Sequence, residues 1–274
     1  MQIGTALSRG TLLDLASRAA RRLAFEARRR ALGVFATLRA PNAREASARH
    51  NDFFFAELGV DRATAEAEYR RICAEIGLAR LADDSIHFLA FAALKAAGFR
   101  PGTILELGTA NGETTAFLAA LFEPAIVHTV ELPDDDPIFR RFHGAGADRS
   151  AAAKQLDRPN IRAHRVNTAF LSGLGLPDFD LIWLDAGHEF PEVAWDHAFC
   201  LGKLRKGGWL LSDDVRPSDN LLFRRQRGAL DAFAVTEYLN ERQESKFRYL
   251  LKREDPRLYV LDRKYVAVLH KTVQ

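Results

Sequence analysis

The hydrophobic pattern of the chain changes at about residue 103. From there on, apolar runs as short as one buried strand alternate with segments in which apolar residues recur at helical spacing. Strands that alternate with helices form parallel sheets with helices on both faces. The pattern therefore predicts an α/β fold with a doubly wound, mostly parallel sheet of seven strands. The predicted strands are 104–107, 125–131, 161–166, 180–185, 209–214, 247–251 and 265–271.

The part before this alternation is predicted to be helical. Apolar residues between Thr11 and Leu38 are spaced for one side of a helix, and further helices are predicted over 61–77 and 86–97. We therefore divide the chain into a helical N-terminal extension, residues 1–82, and a second domain, residues 83–274. The segment 132–160 is rich in Asp, Arg, Gly and Pro and is predicted to be a long loop.

Charge is concentrated in the N-terminal extension. Residues 1–50 hold ten arginines and three acidic residues and carry +7, which leaves −4 for residues 51–274 of a chain whose net charge is +3. We interpret the amphipathic helix 11–38 as a basic face that packs on its own domain or on a second subunit, and expect a homo-oligomer. Two alternatives stay open, a peripheral contact with an anionic membrane and a cleaved transit peptide.

Composition excludes several classes of protein. A net charge of +3 is too small for a nucleic-acid-binding chain of this size. The two cysteines, Cys73 and Cys200, form neither a zinc-site nor a disulfide pattern, which indicates a reducing compartment. The sequence shows no apolar run of membrane-span length and no signal-peptide pattern. We expect a cytoplasmic protein, associated with membranes only if the 11–38 helix contacts lipid.

The segment 103–115 is the first candidate for chemistry. It has an apolar strand with Glu106 near its end, then Gly108 and Gly112, then a helix from about Thr114. A strand, a glycine turn and a helix form the nucleotide-binding corner of a doubly wound sheet. A dinucleotide site prefers the spacing G-x-G-x-x-G. The pattern here, E-x-G-x-x-x-G, instead resembles the first motif of class I S-adenosylmethionine-dependent methyltransferases, and a purely structural glycine turn is the remaining alternative.

Two further polar residues lie at predicted strand ends. Glu131 ends the second strand, where an acidic residue accepts hydrogen bonds from ribose hydroxyls in doubly wound folds. Asn167 follows the third strand, where an amide can meet the edge of an adenine. Both are therefore candidate cofactor residues.

A second candidate site consists of carboxylates at the ends of the fourth and fifth strands. Asp185, Asp213 and Asp214 are expected to converge there, because parallel strands place their carboxyl ends at one edge of the sheet. Carboxylates that share a cleft repel unless a positive charge lies between them, and Mg²⁺ meets that need. Such an ion lowers the pKa of a bound hydroxyl. His188, at the same edge, is suited to act as a general base because an ordinary histidine has a pKa near ~6.5.

Taken together, three segments resemble bacterial class I methyltransferases, in particular the metal-dependent O-methyltransferases that act on macrolide sugars and cephalosporin intermediates. The segments are 106–115, 180–189 and 204–214. The resemblance implies a Rossmann-like sheet with an antiparallel last strand, S-adenosylmethionine as cofactor, and O-methylation. The implied site residues are Glu106, Gly108, Gly112, Glu131, Asn167 and Asp185 for the cofactor, Asp185, Asp213 and Asp214 for Mg²⁺, and His188 with Asp185 for catalysis.

The expected acceptor is a hydroxyl of a small molecule or a glycan. The basic segment 216–227 follows the fifth strand and favours an acceptor with negative charge, because arginine side chains match phosphate and carboxylate groups. Two other functions stay open: an NAD-dependent oxidoreductase on a similar corner, and a cofactor-binding module without catalysis.

Overall fold

A computed structural model describes residues 42–78, 85–143, 150–217, 227–261 and 263–272, together with the isolated positions 27 and 31. Its seven strands form one sheet in the order β3-β2-β1-β4-β5-β7-β6. All neighbouring pairs from β3 to β5 are parallel, whereas β7 runs antiparallel to β5 and β6. The predicted α/β sheet is therefore confirmed, as a mixed sheet. The strands are β1 Thr103–Leu107, β2 Ile126–Glu131, β3 Ile161–Arg165, β4 Phe179–Leu184, β5 Leu204–Val215, β6 Arg248–Leu251 and β7 Tyr265–His270.

Ten α-helices flank the sheet within the described ranges. They are α1 Ala43–Arg49, α2 Asp52–Leu58, α3 Arg62–Ile76, α4 His87–Ala96, α5 Glu113–Leu121, α6 Pro137–His143, α7 Ser150–Leu156, α8 Glu192–Lys203, α9 Arg227–Arg242 and α10 Pro256–Leu261, and a 3₁₀-helix covers Thr168–Leu174. No helix in these ranges combines the length and apolar character needed to cross a bilayer.

Each face of the sheet has its own hydrophobic core, because successive side chains of a strand point to opposite faces. Ile104 and Trp183 belong to the core that contains helices α2 to α5. Their strand neighbours Leu105 and Ile182 belong to the core that contains α8 and α9. Fully apolar strands of this kind are expected where both faces of a parallel sheet are covered.

The described part of the N-terminal extension packs tightly on the sheet. The buried Asn51 side chain accepts a hydrogen bond from the Leu251 N–H at 2.7 Å and donates one to the Leu251 carbonyl at 3.0 Å. Arg62 forms an ion pair with Glu254 just beyond the same strand, at 2.5 Å. These contacts cover the exposed edge of β6. Apart from the isolated positions 27 and 31, the predicted helix 11–38 lies outside the described residues, and so does the boundary at 82/83.

The segment 132–160 differs from its prediction as one long loop. It contains the two short helices α6 and α7, separated by residues outside the described set. Helices of seven residues depend on tertiary packing more than on intrinsic propensity. For α7 that packing is visible, because Gly112 lies directly against Gln155 and Leu156.

Candidate functional site

The corner between β1 and α5 contains three residues whose backbone φ is positive. Gly108, Ala110 and Gly112 have φ values of +99°, +45° and +78°. A Cβ atom on Gly108 would lie 2.1 Å from the backbone oxygen of Asp185, so only glycine fits between the ends of β1 and β4. The first turn of α5 then follows Gly112 directly. At Gly108 and Gly112 the turn has no side chain, at the carboxyl end of the sheet where ligands of doubly wound folds bind.

Glu106 lies in β1, two residues before Gly108. It is fully buried, and its Oε2 atom accepts hydrogen bonds from the hydroxyls of Thr115 and Thr129, the latter at 2.6 Å. Burial raises the pKa of Glu106 to about 8, although the two hydrogen bonds oppose the increase. The carboxyl group therefore ties β1 to β2 and α5. Its predicted contact with the cofactor stays a prediction.

Glu131 braces the loop from the neighbouring strand. Its carboxylate accepts one hydrogen bond from the Ala110 N–H at 2.8 Å and another from the Leu132 N–H at 2.9 Å. The strained backbone of Ala110 is thus held by the end of β2. Asn167 accepts a hydrogen bond from the Ala169 N–H at 3.0 Å and caps the 3₁₀-helix. The predicted contacts of Glu131 with a ribose and of Asn167 with an adenine stay predictions.

Asp185 and His188 lie together at the end of β4. The Asp185 backbone N–H donates to the Leu107 carbonyl at 2.8 Å, which fixes the residue beside β1. His188 Nε2 lies 3.6 Å from Asp185 Oδ1, the distance of an ion pair rather than a hydrogen bond. Burial disfavours the charged imidazolium, but Asp185, followed by Asp214 and Asp213, outweighs burial and raises the pKa of His188. The structure thus brings together the residues predicted as base and partner.

Asp213 and Asp214 also lie at this edge, in a bulge of β5. The register with β7 shifts between Ser212 and Val215, and Asp214 has a φ of +53°. In a regular strand the two neighbouring carboxylates would point to opposite faces. The bulge instead brings both onto one side chain, that of Lys252, because a bulge redirects side chains locally. Lys252 Nζ donates to Asp213 Oδ2 at 2.5 Å and to Asp214 Oδ1 at 2.6 Å.

A second lysine completes the cluster. Lys264 Nζ donates to Asp214 Oδ2 at 2.8 Å. The two lysines hold the pKa of Asp214 well below its usual range against the effect of burial, and the carboxylates raise the pKa of Lys252. For Asp213, burial and the nearby Asp185 raise the pKa, while Lys252 opposes the increase. We refer to Asp185, Asp213, Asp214, Lys252 and Lys264 as the charge cluster.

The predicted Mg²⁺ site does not fit this arrangement. The prediction assumed that an external cation neutralises Asp185, Asp213 and Asp214, but lysine ammonium groups already bond three of the four oxygens of Asp213 and Asp214. Among the residues that the structure describes, no group of three or more His, Cys, Asp or Glu side chains has the geometry of a metal site. A hard divalent ion would have to displace an ammonium group to reach these oxygens.

Neither lysine was predicted as a site residue, although the positions of both relative to the strands were a usable signal. Lys252 directly follows β6 and Lys264 directly precedes β7. Because β7 is antiparallel to its neighbours, the end of β6 and the start of β7 lie at the same sheet edge as Asp185 and Asp213. The basic segment 216–227 was predicted to border an acceptor. Arg216 is buried, and the side chains from 218 to 227 lie outside the described set.

One family of known proteins matches the part of the chain that contains the glycine corner and the ends of β4 and β5. Residues 105–215 match a family model described as a methyltransferase domain. A search of curated proteins found no match.

Three solved structures illustrate the structural similarities. An O-methyltransferase of Streptomyces achromogenes involved in tomaymycin synthesis, in complex with S-adenosylmethionine, is 18% identical, with 76% of this chain and 90% of that chain covered and a TM-score of 0.46. An O-methyltransferase of Bacillus cereus with bound S-adenosylhomocysteine is 15% identical over 75% and 91%, with a TM-score of 0.48. A methyltransferase of Podospora anserina with bound S-adenosylhomocysteine is 16% identical over 76% and 87%, with a TM-score of 0.49.

The family match covers the glycine corner, β4 with Asp185, and β5 with the two aspartates. The strand order and the antiparallel β7 are those of the sheet that the sequence resemblance implied. Residues 105–215, which contain these elements, are therefore similar to a methyltransferase domain.

Proposed function

We propose that the protein transfers the methyl group of S-adenosylmethionine to a hydroxyl oxygen of a small molecule or glycan, with His188 as the general base. The observation that carries this proposal is the Asp185–His188 pair at the mouth of the glycine corner, with 3.6 Å between Oδ1 and Nε2. Asp185 also packs its backbone against Gly108. The base is thereby tied to the corner that holds the cofactor.

Bound S-adenosylmethionine supplies an electrophilic methyl group on a sulfonium sulfur. The chain has to hold the acceptor hydroxyl in line with that methyl group and remove the hydroxyl proton. Because the Nε2 side of His188 faces Asp185, Nδ1 is the nitrogen left to accept the proton. The acceptor oxygen then forms the new C–O bond as the C–S bond breaks, and the sulfur keeps the bonding electron pair.

The raised pKa of His188 gives the proposal a pH dependence. Only the neutral imidazole accepts a proton, so the rate should increase as the pH rises through the pKa of His188 and then level off. Asp185→Asn removes the charge that raises this pKa, and should move the midpoint of the profile to lower pH. A change of kcat without a shift in the midpoint would contradict the proposed pairing.

The test starts with cofactor binding and continues with methyl transfer. Calorimetric titration with S-adenosylhomocysteine and with NAD separates the methyltransferase from an oxidoreductase. A transfer screen against catechols, free sugars, nucleotide sugars and glycosylated metabolites then compares the wild type with His188→Ala. We expect a loss of about 10²–10⁴-fold in kcat in the variant, the usual contribution of a general base.

His270→Gln is the matched control, because His270 ends β7 and therefore lies at the opposite edge of the sheet. It should retain wild-type transfer. Cofactor binding without transfer to any acceptor would point to a non-catalytic binding module. Equal activity of His188→Ala and the wild type would exclude His188 as the base.

A further inference from the structure

The charge cluster contains its own cations. Lys252 bridges Asp213 and Asp214 with hydrogen bonds of 2.5 and 2.6 Å, and Lys264 bonds the far oxygen of Asp214 at 2.8 Å. The side chains of Lys252 and Asp213 are 14% and 5% exposed. Ion pairs with so little solvent around them are screened far less than pairs on the surface.

The backbone holds these ammonium groups in place. The Lys252 N–H donates to the Lys264 carbonyl at 2.8 Å, so both lysines sit on paired backbone at the turn end of β6 and β7. The Ile86 N–H donates to the Lys252 carbonyl at 2.9 Å and anchors the same residue to the start of α4. On the opposite side, the β5 bulge fixes both aspartates. The bridging geometry is therefore a property of the fold and not of mobile surface side chains.

The carboxylate oxygens that remain free decide which ions can bind at the charge cluster. Mg²⁺ and Mn²⁺ require oxygen ligands with free lone pairs in a nearly octahedral arrangement. Three carboxylate oxygens of Asp213 and Asp214 already accept hydrogen bonds from ammonium groups. The Lys252 ammonium group occupies the space between the two carboxylates, and together with Lys264 it supplies the two positive charges that a divalent ion would provide.

We propose that the Lys252 ammonium group, supported by Lys264, is the resident cation of this site, so that the enzyme binds no divalent metal there and transfers methyl groups without one. The activity part of this inference rests on the function proposed above, while the metal-binding part does not. Lys252 is a positioning residue, since it acts through Asp213 and Asp214. Its removal should convert the site into a metal site, because it frees oxygens on two carboxylates next to Asp185.

The test is a titration with MnCl₂, followed by electron paramagnetic resonance of free Mn²⁺ and by calorimetry. The wild type should show no binding at the site up to about 1 mM, and Lys252→Met should bind Mn²⁺ about tenfold or more tightly than the wild type. Adding Asp213→Asn to Lys252→Met should abolish the gain. Lys203→Met is the matched control, because Lys203 lies 3.5 Å from Asp178 in an ion pair near the opposite sheet edge. It should behave as the wild type.

Three results would overturn the inference. The first is stoichiometric Mn²⁺ binding by the wild type that Asp213→Asn removes, and the second is a folded Lys252→Met that gains no binding. The third is wild-type methyl transfer that EDTA abolishes and Mg²⁺ restores. If Lys252→Met does not fold, the wild-type titration and Lys264→Met, which frees one oxygen of Asp214, decide the question. A wild type that transfers no methyl group to any acceptor yet binds no Mn²⁺ would refute the proposed function and leave the resident cation standing.

Discussion

The contact between Gly108 and Asp185 allows a sharp test of the corner, by the substitution Gly108→Ala. An added methyl group would lie 2.1 Å from the Asp185 oxygen and 2.6 Å from the Asp185 carbonyl carbon. Both atoms belong to the backbone at the end of β4, so neither can move aside as a side chain would. The backbone at Gly108 also has a φ of +99°, which a residue with a side chain rarely adopts.

The expected loss combines two costs. Holding a non-glycine residue at such a backbone conformation costs about 1–3 kcal/mol. Forcing an extra methyl group into a packed region costs typically about 1–3 kcal/mol more. The free energy of unfolding should therefore fall by about 2–6 kcal/mol, a large part of the ~5–15 kcal/mol that stabilises a typical domain. Because Asp185 is displaced, binding of S-adenosylhomocysteine should weaken as well.

Gly175→Ala is the matched control. Gly175 also has a positive φ, +61°, but no atom lies within 4 Å of its added methyl group. Only the backbone cost remains, about 1–2 kcal/mol. Urea unfolding followed by circular dichroism measures both variants, with equal m-values as the condition for the comparison. If the two variants lose the same stability, then β1 and β4 do not meet as closely as described, and the argument from the glycine corner fails.

Two further changes test the supports of the site. Glu106→Gln should flatten the pH dependence of the free energy of unfolding. In the folded protein the pKa of Glu106 is raised from the ordinary 4.5 to about 8. The protonated carboxyl group therefore stabilises the fold fully below pH 4.5, and this contribution is lost as the pH rises through 8. Wild-type urea unfolding should therefore show a slope of up to ~1.4 kcal/mol per pH unit in that window that the variant lacks; identical slopes would mean that Glu106 is ionised at neutral pH. Asn51→Ala should lower the free energy of unfolding by about 2–4 kcal/mol, because it leaves the buried N–H and carbonyl of Leu251 without partners. Thermal unfolding measures this loss, and a change below about 0.5 kcal/mol, typical of surface sites, would show that the N-terminal helices do not brace β6.

The sheet was predictable because its strands are apolar on both faces. The prediction 180–185 differs from the observed β4, Phe179–Leu184, by one residue at each end. The acidic residues at the ends of β4 and β5 were predicted to meet at one edge, and Asp185, Asp213 and Asp214 do interact there. These inferences needed only the strand period and the rule that parallel strands end at one edge.

The role of the carboxylates was not predictable in the same way. Repulsion between the aspartates indicates that a cation is needed, but not which one. The answer depends on the bulge at Asp213 and Asp214, which reverses the expected direction of one side chain and has no recognisable pattern in the sequence. Glu106 shows the same limit. The strand pattern places it near the corner, but its burial against Thr115 and Thr129 follows from how α5 packs on the sheet.

The charge balance of the cluster links the resident cation to the proposed reaction. Burial and Asp185 raise the pKa of Asp213, but the hydrogen bond from Lys252 favours its ionised form. With all carboxylates ionised, Asp185, Asp213 and Asp214 carry three negative charges, and Lys252 and Lys264 carry two positive charges. One negative charge remains, and His188 lies beside Asp185, the carboxylate without a lysine partner in this cluster. Methyl transfer replaces a sulfonium cation by a neutral sulfide while the base becomes an imidazolium cation. In the proposed reaction the crevice would therefore hold one mobile positive charge before and after the transfer, and the surplus carboxylate would stabilise that charge in both states. A divalent ion that displaced one ammonium group would cancel this surplus charge and remove the stabilisation of both the sulfonium and the imidazolium, so two lysines suit the proposed chemistry better than one lysine and a metal.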